Sequence, residues 1–522
     1  MRIFLYGPPG SGKTTLARRL ADTLDLPLID LDQEIERQGR KSISQVFREE
    51  GEEAFRQRER ELLEAACARP AGVIALGGGA LLDSESRAAA ERAGVVICLE
   101  ADAETLRARL GKSAGRPLLE GDPETRLQAL LVSRSAHYAS FPYRVDARQD
   151  LAALEQAVLL QAGAFRVRGM GSAYDVRVRA GGLEALGALL TERALRGPVA
   201  VVSDNNVGPL YLERALAALR AAGYAASGFT IPAGEAAKTI ATAQDIWNYF
   251  IAAGMERSST VVALGGGVVG DLTGFCAATF LRGIPWVNVP TTLLAMVDSS
   301  LGGKTGVDLP QAKNLVGAFH PPRLVVADPQ TLATLPEREL RGGLAETVKH
   351  GVIGDPQLFA LCAQGEVAVR TELDRLVRRS MAVKLRIIAE DPYEKGARKT
   401  LNLGHTLGHG VELASDFQLS HGEAVAVGMV GEARMAEWIG LAASGLAEQI
   451  TKVLQELGLP ICAPHSIHEE RIVAAMRLDK KRAAGQVQFA LPAQIGDVRP
   501  AVVVEDWEKM TARALRCGGE AL

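Results

Sequence analysis

Three groups of residues in this chain have the types and spacing that chemistry requires. The first, Gly7-Pro-Pro-Gly10-Ser11-Gly12-Lys13-Thr14-Thr15, fits G-x-x-x-x-G-K-[ST]. Glycines there let backbone N–H groups curl round phosphate oxygens, Lys13 reaches the β- and γ-phosphates, and Thr14 can ligate Mg2+. Asp30 and Asp32 follow the apolar Leu28-Ile29, where one carboxylate could order Mg2+-bound water and the other contact an acceptor hydroxyl. No Asn-Lys-x-Asp guanine signature occurs.

The second group is Gly265-Gly266-Gly267-Val268-Val-Gly270-Asp271 behind an apolar run, a plausible pyrophosphate cradle with Asp204 and Glu235 available for ribose hydroxyls. It is not a G-x-G-x-x-G fingerprint, and tight strand-helix packing is the alternative. Arg282, Lys304 and Lys313 stand in a Gly-rich stretch whose flexible backbone could let cations converge on an anion. The third group holds histidines: six of the chain's eight lie beyond residue 321. Gly404-His405-Thr-Leu-Gly-His409-Gly-Val-Glu412 sets two imidazoles at i and i+4 on one helix face, and His421-Gly-Glu423 opens another helix. Spacing alone favours His405 and His409 as the ligand pair. His405 plus His421 with a carboxylate would also give three ligands with an open position, and a buried histidine pair without metal is the alternative to both.

The elements that must position these groups are α/β in rhythm. Short apolar runs (Ile3 to Tyr6, Val73 to Leu76, Val95 to Leu99) alternate with helical spacing at Thr14 to Leu24, Ile43 to Ala66 and Glu104 to Leu110. A helix from Leu151 to Ala162 precedes a Gly-containing passage. The alternation then restarts, with strands near 199–202, 260–264 and 286–289 and helices over 210–222 and 239–253. Beyond about 330 the pattern is helical. The expected organisation is a parallel α/β domain over 1–165, a linker at 166–172, a second α/β domain over 173–330 and a mainly helical domain over 331–522.

The 522 residues are 47% apolar and 23% charged, as in ordinary globular proteins of three or four domains at about 150 residues each. With 59 Lys+Arg against 62 Asp+Glu, no global basic field exists to hold nucleic acid or an anionic membrane, so anion binding must be local. Six scattered cysteines suggest reduced thiols. No apolar stretch is long enough for a bilayer, and no signal peptide is recognisable. A cytoplasmic enzyme of small molecules is expected.

The first 165 residues resemble shikimate kinases. The matching elements are the phosphate loop, Asp30-Leu-Asp32, Phe55-Arg56-Gln-Arg-Glu59, Gly77-Gly78-Gly79, Gly115-Arg116-Pro117, and Arg134 ahead of His137-Tyr138. The resemblance implies ATP on Gly10 to Thr15, with Arg109 stacked on adenine and Arg116 at the transferring phosphoryl group. It implies shikimate on Asp32, Arg56, Gly77, Gly78, Gly79 and Arg134, and Mg2+ on Thr14 and, through water, Asp30.

From about 175 onward the chain resembles 3-dehydroquinate synthase, on Gly343-Leu-Ala-Glu346-Thr-Val-Lys349, Gly404-His405 and His421-Gly-Glu423. The implied fold is a Rossmann-like NAD-binding domain followed by a helical metal-binding domain. The implied zinc (or cobalt) ligands are Glu346, His405 and His421, which moves His409 to a substrate-phosphate or proton-relay role. NAD+ would be held by Asp204, Glu235, Lys238, Gly266, Gly267, Val268, Asp271, Thr291, Thr292, Asp298, Lys304 and Lys313. The sugar-acid phosphate would be held by Asp298, Lys304, Asn314, Lys349, Lys384, Arg398, Asn402, His409 and Lys480, with Arg282 also matched. The implied reaction converts 3-deoxy-arabino-heptulosonate 7-phosphate to 3-dehydroquinate by transient oxidation, phosphate elimination, reduction and aldol closure. The family commonly forms homodimers. Departures are Pro392-Tyr393 and Asp308, neither expected to touch a ligand. Rival readings are a gluconate or nucleoside kinase, a related sugar-phosphate cyclase, a polyol dehydrogenase, and a non-enzymatic nucleotide-gated module that would leave the metal set without a role.

Overall fold

Apolar runs in the first part of the chain pair into a parallel five-stranded sheet, in the order Leu28–Asp30, Gly72–Ala75, Arg2–Tyr6, Val95–Glu100 and Arg144–Asp146. Ile3, Phe4, Leu5 and Tyr6 of the central strand are fully buried, which is why that strand reads as a continuous apolar run without alternation. Helix Lys13–Leu24 follows, burying Leu16, Ala17, Leu20, Ala21 and Leu24 along one stripe. Its N-cap, Gly12, has φ 90, a conformation that costs glycine little and other residues much. Asp30 caps helix Leu31–Gly39 through the Gln33 amide, and a Ser42/Gln45 capping box opens Ile43–Ala68.

This computed structural model describes residues 1–110, 123–483 and 486–516, and divides into the units Met1–Arg166 and Val167–Leu522. The division falls inside the strand Ala164–Val167, where a linker was expected to begin.

In the second unit six strands run parallel in the order Tyr174–Val178, Leu324–Ala327, Trp286–Pro290, Ser259–Gly265, Arg196–Asp204 and Ala226–Ile231. Every residue of Ser259–Gly265 is buried, with apolar clusters on both faces of the sheet. Asp204, Gly265 and Pro290 all lie at carboxyl ends of strands, where open α/β sheets place their ligands. The Gly-rich stretch expected to be flexible is an antiparallel hairpin, Lys304–Leu309 with Ala312–Phe319. Beyond it, helices Glu337–Gly354, Leu373–Glu390, His405–Ala414 and His421–Trp438 belong to the helical region. A second hairpin, Phe489–Gln494 with Asp497–Val502, interrupts the region read as helical. Pro492 inside a short apolar run weakens its strand signal.

Among the described residues no helix is long and apolar enough to cross a membrane. Cys67, Cys98, Cys276 and Cys362 are free thiols, but Cys462 is disulfide-bonded, contrary to the expectation of reduced cysteines throughout. Sequence scatter does not say which thiols approach in space.

Candidate active sites

In the first unit a pocket of ≈ 680 Å³ is lined by Gly10 to Thr15, Asp30, Asp32, Arg56, Glu59, Gly77, Gly78, Gly79, Arg109 and Arg134. Thr14 Oγ1 donates to Asp30 Oδ2 at 2.7 Å, so the hydroxyl and carboxylate expected around Mg2+ already meet. Lys13 Nζ donates to the Gly7 and Pro8 carbonyls, both at 2.9 Å. Arg109 donates to Ala147 O at 2.9 Å. Arg134 and the Tyr138 hydroxyl both donate to Gly78 O, at 3.0 and 2.8 Å, fixing the glycine triplet. Arg56 binds Glu59 at 2.6 Å and Glu52 at 3.2 Å. Burial pushes the Glu59 carboxyl up, against the pull of Arg56. Arg116 lies outside the described residues.

The second unit holds a cleft of ≈ 2160 Å³ between the strand ends and the helical region. Gly266, Gly267 and Val268 open helix Gly267–Thr279 on one wall, with Asp204, Glu235, Asp271, Thr291 and Thr292 beside them. A Cβ on Gly266 would come within 3.2 Å of Thr292 and one on Gly267 within 3.0 Å of Ser299, so glycine keeps this helix N-terminus open to a phosphate. Lys238 is buried, donating to Asp271 at 2.6 Å and Asn314 at 2.5 Å. Burial pushes the Glu235 carboxyl up. Asp308, a departure expected to be inert, lines this cleft and accepts from the Asn314 amide at 2.7 Å. Its carboxylate therefore orders the hairpin residue beside Lys313.

Glu346 is fully buried, and neither of its carboxylate oxygens accepts a well-directed hydrogen bond. His405 Nε2 and His421 Nε2 face its Oε1 at 3.5 and 3.4 Å, and Lys349 pairs with Oε2. Two donors of one tetrahedral ion at 2.0–2.1 Å lie about 3.3 Å apart, so this N/N/O set has the dimensions of a zinc-type site. The two Nδ1 atoms are turned to other partners, His405 to Leu403 O at 3.1 Å and His421 to Glu412 at 3.4 Å, an arrangement that leaves each Nε2 lone pair for the ion. Burial and then Lys349 hold His405 well below the usual imidazole range, hence neutral. For His421 burial works the same way, but the neighbouring Glu346 and Glu412 carboxylates outweigh it and lift the value to about 10. Burial would raise Glu346, yet Lys349 and the imidazoles hold it well below the carboxylate range.

Around this centre the structure gathers some expected residues and disperses others. Asp298 lies in the π-turn Ala295–Ser299 and takes Lys384 at 2.6 Å. Burial opposes its charge, and Lys384 more than restores it. Arg398 is buried and donates to Pro392 O at 2.5 Å, while Asn402 is half-buried at the end of the same 3-10 turn. His409 lines the cleft, its ring 5.3 Å from that of His405. Lys304 and Lys313 take separate carboxylates, Glu394 at 2.5 Å and Glu412 at 3.4 Å. Arg282 is exposed in a left-handed turn and lines neither pocket. Lys480 lies in helix Glu469–Ala483, and its side chain is outside the described set. Glu59, Tyr138, Glu412 and His350 are further polar residues that the structure places around these sites. Of these, Glu59 stands at i+3 from Arg56 and Glu412 at i+3 from His409, each pair on one helix face.

Fold and site together define a fused enzyme of two parts, a P-loop kinase and a second enzyme whose cleft is shared by an α/β and a helical layer. Residues 9–161 match the shikimate kinase family, 228–342 the 3-dehydroquinate synthase N-terminal family and 343–482 its C-terminal counterpart. The chain belongs to the 3-dehydroquinate synthase family, preceded by a shikimate kinase domain, and has both activities of the shikimate pathway. The 3-dehydroquinate synthase of Symbiobacterium thermophilum is 48% identical over 363 residues, covering 67% of this chain and 98% of that relative. One from Synechococcus is 45% identical, covering 63% and 91%. The solved structure of 2-epi-5-epi-valiolone synthase from Streptomyces hygroscopicus subsp. jinggangensis 5008, with NAD+ and Zn2+ bound, is 31% identical with a TM-score of 0.60 over 67% of this chain and 98% of its own.

Proposed function

We propose that residues 1–165 phosphorylate shikimate from MgATP, and that 173–330 and 331–522 jointly convert 3-deoxy-arabino-heptulosonate 7-phosphate to 3-dehydroquinate and phosphate, using NAD+ and Zn2+. The observation that carries the synthase reading is the buried Glu346 facing two imidazole Nε2 atoms at 3.4 and 3.5 Å. Support for the cofactors comes from the glycine-opened helix at Gly266-Gly267 and from relatives solved with NAD+ and Zn2+ or Co2+.

In the kinase, amides of Gly10 to Thr15 and Lys13 hold the phosphates, and Arg56 and Arg134 grip the acceptor's carboxylate as guanidinium forks. Asp32 accepts the proton of the attacking hydroxyl. In the synthase, Glu346, His405 and His421 would hold the ion, which when bound polarises hydroxyl and ketone oxygens, while NAD+ supplies reversible hydride acceptance. Lys349, Lys384 and Arg398 hold the substrate's carboxylate and phosphate in a largely buried setting. Asp298 keeps Lys384 oriented, and His409, at the cleft wall, contacts the phosphate. Cytoplasmic location and a homodimer through the synthase part belong to the same reading, the latter supported by exposed Leu281, Leu315 and Phe319.

The test is phosphate release from 3-deoxy-arabino-heptulosonate 7-phosphate by the full chain with NAD+, before and after chelation and zinc restoration, with the product identified by mass. Chelator-sensitive formation of 3-dehydroquinate without net NADH is the expected result. Net NADH accumulation, or no turnover by zinc-loaded protein, would overturn it.

A further inference from the structure

Helix His405–Ala414 starts from a residue that cannot cap it. Its N-cap is Gly404, at φ 78 with no side chain, so the amides of the first turn need acceptors from elsewhere. Glu432 supplies them. This carboxylate comes from helix His421–Trp438, is fully buried, and accepts from Gly404 N at 2.5 Å through Oε2 and from Leu407 N at 3.2 Å through Oε1. The Thr406 amide also faces it and helps hold its charge. Burial pushes the Glu432 carboxyl up to about 8, against the pull of these amides.

The two helices joined this way carry His405 and His421. They touch backbone to backbone: a Cβ on Gly428 would overlap the Gly404 carbonyl and lie 2.7 Å from the Gly408 amide, and one on Gly408 would lie 3.0 Å from Ala424 O. Little side-chain matter stands between them to absorb a shift. Rotation or sliding of one helix along the other therefore moves His405 relative to His421, and the carboxylate is what pins the start of the first helix to the second.

We infer that Glu432 is a positioning residue of the synthase, holding His405 and His421 at Glu346 before any metal arrives. This rests on the reading of Glu346, His405 and His421 as the metal set. A glutamine cannot replace it, because its NH2 cannot accept from a backbone N–H, whereas both oxygens of the carboxyl group keep lone pairs that can.

The test is Co2+ binding to the metal-stripped full chain, by chelator competition and by the visible absorption of bound Co2+, in wild type, Glu432→Gln, Met435→Ala and His405→Ala. Met435 is a fully buried core residue on the same helix, so its truncation controls for lost stability. Glu432→Gln should weaken Co2+ about 10- to 100-fold, the usual cost of losing an outer-shell partner, and shift the absorption bands. Met435→Ala should lower the melting temperature yet bind within about two-fold of wild type. Glu432→Gln binding as wild type does, or no worse than Met435→Ala, overturns the inference. If His405→Ala binds normally, the metal reading itself has failed, a separate outcome. Should Glu432→Gln not fold, amide exchange across 404–407 in metal-free wild type decides: slow exchange is expected, and exchange at the rate of an unprotected chain overturns the pre-positioning.

Discussion

Replacing Arg56 by Ala isolates acceptor recognition from nucleotide recognition in the kinase. The guanidinium is 20% exposed in the pocket wall, held by Glu59 at 2.6 Å and Glu52 at 3.2 Å, so it is oriented before substrate arrives. A hydrogen bond to a charged group contributes about 1.5–3 kcal/mol, and limited exposure leaves little screening to discount. At 1.4 kcal/mol per decade, KM for shikimate should rise about 10- to 100-fold. KM for ATP should stay within about two-fold, since phosphates are held by Gly10 to Thr15 on other elements. Arg56→Lys should fall between, because an ammonium keeps the charge and loses the fork. Glu59→Gln should reproduce part of the shikimate defect, because it unpins the guanidinium without removing it. A coupled ADP-release assay, varying each substrate with the other saturating, measures both constants. An unchanged shikimate KM, or equal rises in both, would refute the assignment.

Chelation followed by Mg2+ alone should restore shikimate phosphorylation but not 3-dehydroquinate formation, which should return only with Zn2+ or Co2+; recovery of both on Mg2+ would count against the Glu346/His405/His421 centre. Lys384→Met strands the Asp298 carboxylate and should cost about 3–5 kcal/mol in urea unfolding, with Asp298→Asn added to it recovering part of the loss. A double variant no more stable than the single would show that the pair is not coupled. His350 is pushed down from 6.5 to about 3, first by burial and then by Lys349. Its folded value lies below the unfolded one, so the unfolded chain takes the proton first. The stability it confers is whole above about pH 6.5 and is lost as pH falls toward 3, at about 1.4 kcal/mol per unit. His350→Asn should remove that slope between about pH 4.5 and 6, and an unaltered pH-stability curve for the variant would refute it.

What sequence reveals here depends on how far apart in the chain the cooperating atoms lie. The phosphate loop was legible because strand, turn and helix are contiguous, and every atom that cradles phosphate comes from within a few residues. Helix Leu151–Ala162 is legible through its period, and strands Arg2–Tyr6, Gly72–Ala75, Val95–Glu100, Arg196–Asp204, Ser259–Gly265 and Trp286–Pro290 as short apolar runs, whereas Arg144–Asp146, Ala226–Ile231 and Leu324–Ala327 are not. Period also pointed to His405 with His409, and their rings do lie 5.3 Å apart, but the ring of His421 is at 5.2 Å, and Glu346 comes from another helix to face His405 and His421. Spacing on one helix cannot contain that information, and it took a family resemblance to name Glu346. The π-turn that carries Asp298 and the hairpin that separates Lys304 from Lys313 were hidden for the same reason, since each is decided by tertiary packing over a locally ambiguous sequence. Yet one unread signal was present. Ala424-Val-Ala-Val-Gly-Met-Val-Gly431-Glu432-Ala433 is apolar on every face except at Glu432, and a carboxylate inside a helix buried all round must find donors or cost several kcal/mol. Such a residue announces that it has partners, while only the fold can say that they are the amides at the start of the His405 helix.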